Sequence, residues 1–310
     1  MYPFLLGTYN SLGEQIIPQM ILGGTSDAHS EVFMLSGRDE SESVVKNGTF
    51  AGLGINEALA RLGGEEHTPD NNFPIYIKAL NTIERLPVKV YPDDEYAALH
   101  GGRKGKISLI YIADCKKGAE IVYGLGRNVS PEELKSRVKG GSLSAICNFV
   151  GVQKGDVFFV PPGVVFCLGG GISALEISTN SDSEYIISDY GRVDSHGKPR
   201  ALQIDRALDV MKTRKNNLSY GNTGELTLYP FGTVRELGVC DVFKTDLITM
   251  DGNLGLYENE NLISIVFISG EVDMSYPSGT MHLKTGDSVL IPKGVKVKLS
   301  GRAEIIHTKI

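Results

Sequence analysis

Four cysteines and six histidines are the first residues of this 310-residue chain to weigh for metal or redox chemistry. Cys115, Cys147, Cys167 and Cys240 include no pair at a C-x-x-C spacing. A thiolate zinc site or a dithiol redox motif relies on such a spacing, so the four read as reduced thiols in a cytoplasm. His29, His67, His100, His196, His282 and His307 fall in unrelated segments. None forms the His-x-His or H-x3-H pair that one strand or helix face would present to a metal. The acidic run Asp93-Asp94-Glu95 after Pro92 is placed to cap and charge a helix N-terminus, with His100 a turn or two further on. Gly169-Gly170-Gly171 has the look of a phosphate cradle, but no Lys-Ser/Thr or helix follows, and it reads as a turn.

Composition narrows the function classes. Hydrophobic residues make up 41 % and charged residues 22 %, an ordinary globular mixture. Net charge is 31 − 37 = −6 with no basic block, which argues against a nucleic-acid or anionic-membrane partner. No apolar run approaches the ~20 residues of a membrane span. The start, MYPFLLGTYNSLGEQ, lacks the basic region and small-residue cleavage site of a signal peptide. The expectation is a soluble, cytoplasmic protein; nothing in the sequence sets an oligomeric state.

The elements that would position a site are mostly strands. Ile107–Cys115, Ala119–Leu125, Gly155–Val160 and Ser173–Thr179 are rich in β-branched and aromatic residues between Gly, Asp and Pro breaks, and the last 90 residues continue in this style. The 37 glycines suit the many turns that such a chain requires. Helices are expected at Asn56–Leu62, at Leu202–Lys212 and from Ser130 to about residue 148. There Ser130-Pro131-Glu132-Glu133 supplies a cap, a first-turn Pro and acidic residues. Lys212–Gly224 loses apolar periodicity and reads as a linker, dividing the chain into 1–220 and 221–310.

A repeat sets the fold class. Gly155-Asp156, Pro161, Gly163 and Val164 recur at an offset of 131 as Gly286-Asp287, Pro292, Gly294 and Val295. A turn feeding an apolar strand, a Pro-x-Gly break and a further strand is thus one unit used twice. The repeat resembles the second motif of the cupin β-barrels, G-x5-P-x-G-x2-H, with Phe166 and Val297 in the slots of the closing histidine. The expected architecture is mainly β, a bicupin with a small helical insertion in its first half.

Nearly the whole chain is similar to a narrower family, the type I mannose-6-phosphate isomerases in their short bacterial form. The similarity rests on Leu22-Gly23-Gly24-Thr25, Ser43–Gly48, Phe73–Lys78, Val90–Ala97, Val160–Gly163, Ser181-Asp182, Asp189–Arg192 and Gly197–Arg200, in that order and spacing. The resemblance implies interconversion of mannose 6-phosphate and fructose 6-phosphate on a bound divalent metal, usually zinc. It also implies metal ligands at four positions: Gln and His of a Gln-x-His-Pro strand, Glu of a Lys-x-Glu strand, and the closing His. Here those positions hold Lys89, Tyr91, Ser108 and Phe166, and the family's active-site Arg is Ile186. Lys106 and Glu176 keep the family residues.

An ammonium has no lone pair to offer a metal, Ser108 is a poor zinc ligand, Phe166 offers nothing, and Tyr91 would bind only as phenolate. Strand alternation puts Lys89 and Tyr91 on one face of their strand, as it does Lys106 and Ser108 on theirs, and in the family's register these side chains point into the metal cavity. The expectation is a lost metal site and no cofactor. The candidate pocket comprises Lys89, Tyr91, Lys106, Ser108, Phe166 and Glu176. Lys89 reads either as a surrogate for the metal's charge or as a snorkelling surface lysine. Tyr91 and Phe166 read as fillers of the vacated cavity or as stacking faces for a sugar. Three functions follow: a pseudoenzyme that binds a sugar or sugar phosphate, an isomerase with regrouped ligands such as His100 and Glu176, or a non-catalytic interaction module.

Overall fold

The computed structural model describes residues 1–10, 30–63, 73–102, 104–193, 196–257 and 260–310. The family-like segment 22–25, His29 and His67 lie outside them. Among the described residues, antiparallel strands form sheets of eight, five and seven strands, with four α-helices. The seven- and five-stranded sheets enclose the first barrel. The eight-stranded sheet forms the second, whose interior is filled by Ile265, Phe267, Met274, Leu283, Val289, Leu299 and Ile305.

The two copies of the repeat fold bond for bond alike. Gly155 and Gly286 take φ of 88° and 90°, and Gly163 and Gly294 take 82° and 76°, a region glycine enters without steric cost. Asp156 accepts from the backbone N–H of Gln153 at 2.9 Å, and Asp287 accepts from that of Lys284 at 2.8 Å. Gly155 N–H donates to Ile112 and Gly286 N–H to Phe267, at 2.8 and 2.9 Å, tying each turn to the neighbouring strand. The strands that follow, Val157–Val160 and Ser288–Ile291, are almost wholly buried.

Alternation along the strands sorts the two cores. In Ile75–Thr82, Ser108–Cys115 and Ile172–Thr179, the residues Ile77, Leu109, Tyr111, Leu175 and Ile177 face the layer between the barrels. There they meet Leu237, Phe243, Val266, Leu290 and Ile306 of the second half. The alternate residues Leu80, Ile110, Ile112, Ile172 and Ala174 fill the first barrel. Tyr76, Lys78, Ser108, Glu176 and Ser178 have the same parity on the same strands, so they share that inward face.

The helices are α1 (Ile55–Leu62), α2 (Asp94–Leu99), α3 (Pro131–Lys139) and α4 (Ile204–Val210). The Ser130 side chain accepts from Glu133 N–H and caps α3, with Pro131 in the first turn. This helix stops well short of the expected residue 148. Gly140-Gly141 breaks it, Gly141 at φ 67°; a 3-10 turn follows at Leu143–Ile146, and Cys147–Gly151 is a strand of the five-stranded sheet. Two short strands cross the expected boundary. Tyr220–Gly221 pairs with Val157–Phe158 of the first barrel, and Phe4–Leu5 pairs with Val289–Leu290 of the second.

Candidate functional site

One end of the first barrel's interior is charged. Lys89 comes from the strand Val88–Val90, and Tyr91 and Pro92 continue it into α2. Asp93 caps that helix by accepting from Tyr96 N–H at 2.8 Å. The chain then folds back at Gly105, where a Cβ would come within 2.4 Å of the Asp93 backbone. Lys106 N–H donates to Pro92 C=O at 3.1 Å, which seats the Lys106 stem beside Tyr91. Phe166 lies opposite Lys89 on one side of its strand, and Ile186 lies opposite it on the other. Glu176 lies opposite Lys78, and Ser178 opposite Ser108.

All six candidate residues therefore converge. Lys106 Nζ, whose side chain is 3 % exposed, stands 3.3 Å from Glu176 Oε1 and 3.1 Å from Glu184 Oε2. Lys89 Nζ reaches the same Glu184 oxygen at 3.1 Å. Glu176 also accepts from Ser108 Oγ at 2.8 Å and Tyr76 OH at 3.4 Å, and Lys78 Nζ lies 3.7 Å from its other oxygen. Lys78 is bound on its outer side by Glu31 at 3.3 Å. Lys106 lies 4.6 Å from the centre of the Tyr91 ring and 5.4 Å from that of Tyr76, within range of cation–π attraction. Tyr91 and Phe166 are themselves buried in the barrel core, among Ile110, Val160 and Leu168. The Tyr91 hydroxyl has no hydrogen-bond partner.

The charges hold one another ionised. Burial works to lower the ammonium of Lys106, yet Glu176, Tyr76, Tyr91 and Glu184 outweigh it and hold it well above its ordinary value. Lys89 is likewise raised, with Glu184 overcoming the cost of burial. Burial would raise the Glu176 carboxyl, but Lys106, Lys78, Lys89 and the Ser108 hydrogen bond hold it well below the usual carboxylate range. Glu184 is lowered by Lys89, Lys106 and Lys78 against the same penalty. Burial pushes the Tyr91 phenol up, only partly offset by the two lysines, so it stays neutral.

Lowered carboxyls contribute stability above their ordinary value, 4.5, and lose it as pH falls through the folded-state value. Raised ammonium groups contribute fully below 10.5 and lose it as pH rises through theirs. Urea midpoints measured across pH are expected to fall on both flanks, and Glu176→Gln is expected to flatten the acid flank.

Sequence reasoning missed Lys78, Glu184 and Tyr76. The i, i+2 spacing of Tyr76 and Lys78 on one strand, which puts both on one face, carried a usable signal. Glu184 carried none, since it lies in the loop before Tyr185–Ser188, where no periodicity applies. His100 does not join Glu176: it is exposed at the end of α2, stacked on Tyr96 with Nδ1 2.8 Å from Tyr96 C=O. Among the described residues, no group of three or more His, Cys, Asp or Glu side chains is gathered so as to hold a metal. No described helix is long and apolar enough to cross a membrane.

No family model matches the chain. Individual proteins do. The chain is 31 % identical over 310 residues to mannose-6-phosphate isomerase ManA of Bacillus subtilis, covering 94 % of this chain and 96 % of that protein. It is 29 % identical to the mannose-6-phosphate isomerase of Streptococcus mutans, over 91 % of this chain and 88 % of that one. In structure it matches the mannose 6-phosphate isomerase of Bacillus subtilis with a TM-score of 0.88 at 25 % identity, each chain covered in full. The phosphomannose isomerase fold of Salmonella typhimurium is shared at a TM-score of 0.76 and 12 % identity, over 98 % of this chain and 99 % of that one. With the inward-facing charged cluster seated in a barrel of the same fold, the chain belongs to the mannose-6-phosphate isomerase family.

Proposed function

We propose that this chain has left the metal-dependent chemistry of its family and serves as a non-catalytic binder of a sugar phosphate. One observation carries the reading: the buried Lys106 ammonium bridges Glu176 and Glu184 among the four positions where the family resemblance puts metal ligands. A catalytic zinc takes neutral imidazole or anionic oxygen at ~2 Å and keeps one position open. The groups that face this space are two ammoniums, a neutral phenol, a hydroxyl already donating to Glu176, and a phenyl ring. The two carboxylates of the cluster, Glu176 and Glu184, are both engaged by lysines. This donor set does not fit a divalent cation.

The acid–base side of isomerisation is weak for the same reason. Shifting a proton between C1 and C2 needs a competent base and a stabiliser for the developing oxyanion. A carboxylate lowered by Lys106, Lys78 and Lys89 is a weaker base than a free one. Ile186 brings no charge to the place of the family's arginine.

Anion recognition is retained in a masked form. Glu184, with its side chain 33 % exposed, lies on the solvent side of the cluster and joins Lys89 and Lys106 through one oxygen. A phosphate dianion would make the same two charge-assisted contacts, so Glu184 competes with it. Calorimetric titration with mannose 6-phosphate and fructose 6-phosphate tests this directly. Native protein is expected to bind weakly, and Glu184→Gln roughly tenfold more tightly, about 1.4 kcal/mol, with neither form interconverting the sugars. Absence of binding by both forms, or turnover at an ordinary enzymatic rate, would overturn the reading.

A further inference from the structure

The strand Leu226–Tyr229 is the outer edge of the eight-stranded sheet, and all four of its residues are exposed. Leu228 is 78 % exposed, Leu226 49 % and Tyr229 47 %. Exposed large apolar side chains gather around this strand in sequence. Of the 14 among the described residues, six (Leu218, Tyr220, Leu226, Leu228, Tyr229 and Val239) fall between residues 218 and 239. Leu226 and Leu228 share one face of the strand itself, and contiguous apolar surface marks interaction sites where single exposed leucines do not.

Two other sheet edges among the described residues are closed or charged. At Tyr185–Ser188, Gln203 seals the edge: its N–H donates to Ile186 C=O, and its side-chain oxygen accepts from Ile186 N–H. At Gly279–Lys284 the edge carries His282, 2.9 Å from Asp273, and Lys284. Leu226–Tyr229 has no charge, proline or bulge within it, although such devices are what keep exposed edges from pairing.

The hairpin fixes which backbone groups are open. Tyr229 pairs with Gly232 across the two-residue turn Pro230-Phe231, so it is the hydrogen-bonded closing pair. Alternation then turns the N–H and C=O of Leu226 and Leu228 away from the strand Gly232–Val239. A second identical strand, brought up antiparallel about a two-fold axis at Thr227, sets Leu226 opposite Leu228 and Leu228 opposite Leu226. Four ladder hydrogen bonds close in that register. Four leucines then meet on one face, and the two Thr227 side chains meet on the other. The open edge is complementary to itself.

We propose that two copies of this chain associate through antiparallel pairing of Leu226–Tyr229, joining their eight-stranded sheets into one. An edge of four residues buries far less than the ~1,600 Å² of a standard interface. The dimer is therefore reversible and concentration-dependent.

Sedimentation velocity of the full chain from micromolar to several hundred micromolar tests the proposal. The native protein is expected to move from monomer to dimer over that range. Leu228→Lys, which places an ammonium in the seam, and Leu228→Pro, which removes an outward N–H, are each expected to raise the dimer dissociation constant by at least tenfold. Their thermal midpoints should stay near the native value, which shows that the fold is intact. A native protein that stays monomeric throughout would overturn the proposal, as would a dimer that persists in both variants.

Discussion

Replacing Lys106 by methionine is expected to destabilise the protein by about 3–5 kcal/mol, the range for leaving one member of a buried pair without its partner. The stem of Lys106 packs beside Tyr91 and methionine can replace much of it, so most of the loss is electrostatic. Glu176, 2 % exposed, would keep only Lys78 at 3.7 Å and the hydroxyls of Ser108 and Tyr76. Glu184 would keep Lys89 and remain in contact with water. The double variant Lys106→Met with Glu176→Gln removes the stranded charge and should recover most of the loss. Equilibrium urea unfolding of the two variants measures the difference. Equal losses in both would show that packing, not charge pairing, holds this end of the barrel.

A second large effect is expected from giving the pocket a metal-binding donor set. Lys89→Gln, Tyr91→His, Ser108→Glu and Phe166→His together remove one ammonium and supply two imidazoles and a carboxylate at the positions the family resemblance assigns. Phe166 already lies opposite Lys89, and Ser108 already touches Glu176, so the new donors enter a shared space. Without metal, a second carboxylate beside Glu176 adds like-charge repulsion, and this variant should be less stable than the native chain. Zinc should then stabilise it by about 4 kcal/mol at a thousandfold excess over its dissociation constant. The native chain, with ammonium groups facing the same space, should not respond. Thermal midpoints with and without zinc read out both halves of the comparison.

The fold was legible where the sequence makes local statements. Gly155-Asp156 and Gly286-Asp287 announce the same turn because each aspartate closes it onto the backbone three residues earlier. Ser130-Pro131 announces α3 because cap and first turn are adjacent in the chain. Helical propensity carried through residue 148 overshoots the end of that helix, because Gly140-Gly141 stops it, with Gly141 in the left-handed region. Pairing of Phe4–Leu5 with residues 289–290 joins segments nearly a whole chain apart, and no local pattern encodes it.

The candidate site divides in the same way. Lys89, Tyr91, Lys106, Ser108, Phe166 and Glu176 were marked by their place in a known pattern, and the barrel brings them to one end of its interior. What the pattern could not supply was the counter-charge. Glu184 reaches the two lysines from a loop, and Lys78 reaches Glu176 from a neighbouring strand. Their roles exist only once the strands are paired.

Metal content of the native protein tests the central claim most directly. Protein incubated with excess zinc, freed of unbound ion by gel filtration and analysed by plasma mass spectrometry should carry far less than one zinc per chain. One tightly retained zinc per chain would mean that Lys89 and Lys106 give way to a cation, and the charge-paired reading of this cluster would be wrong.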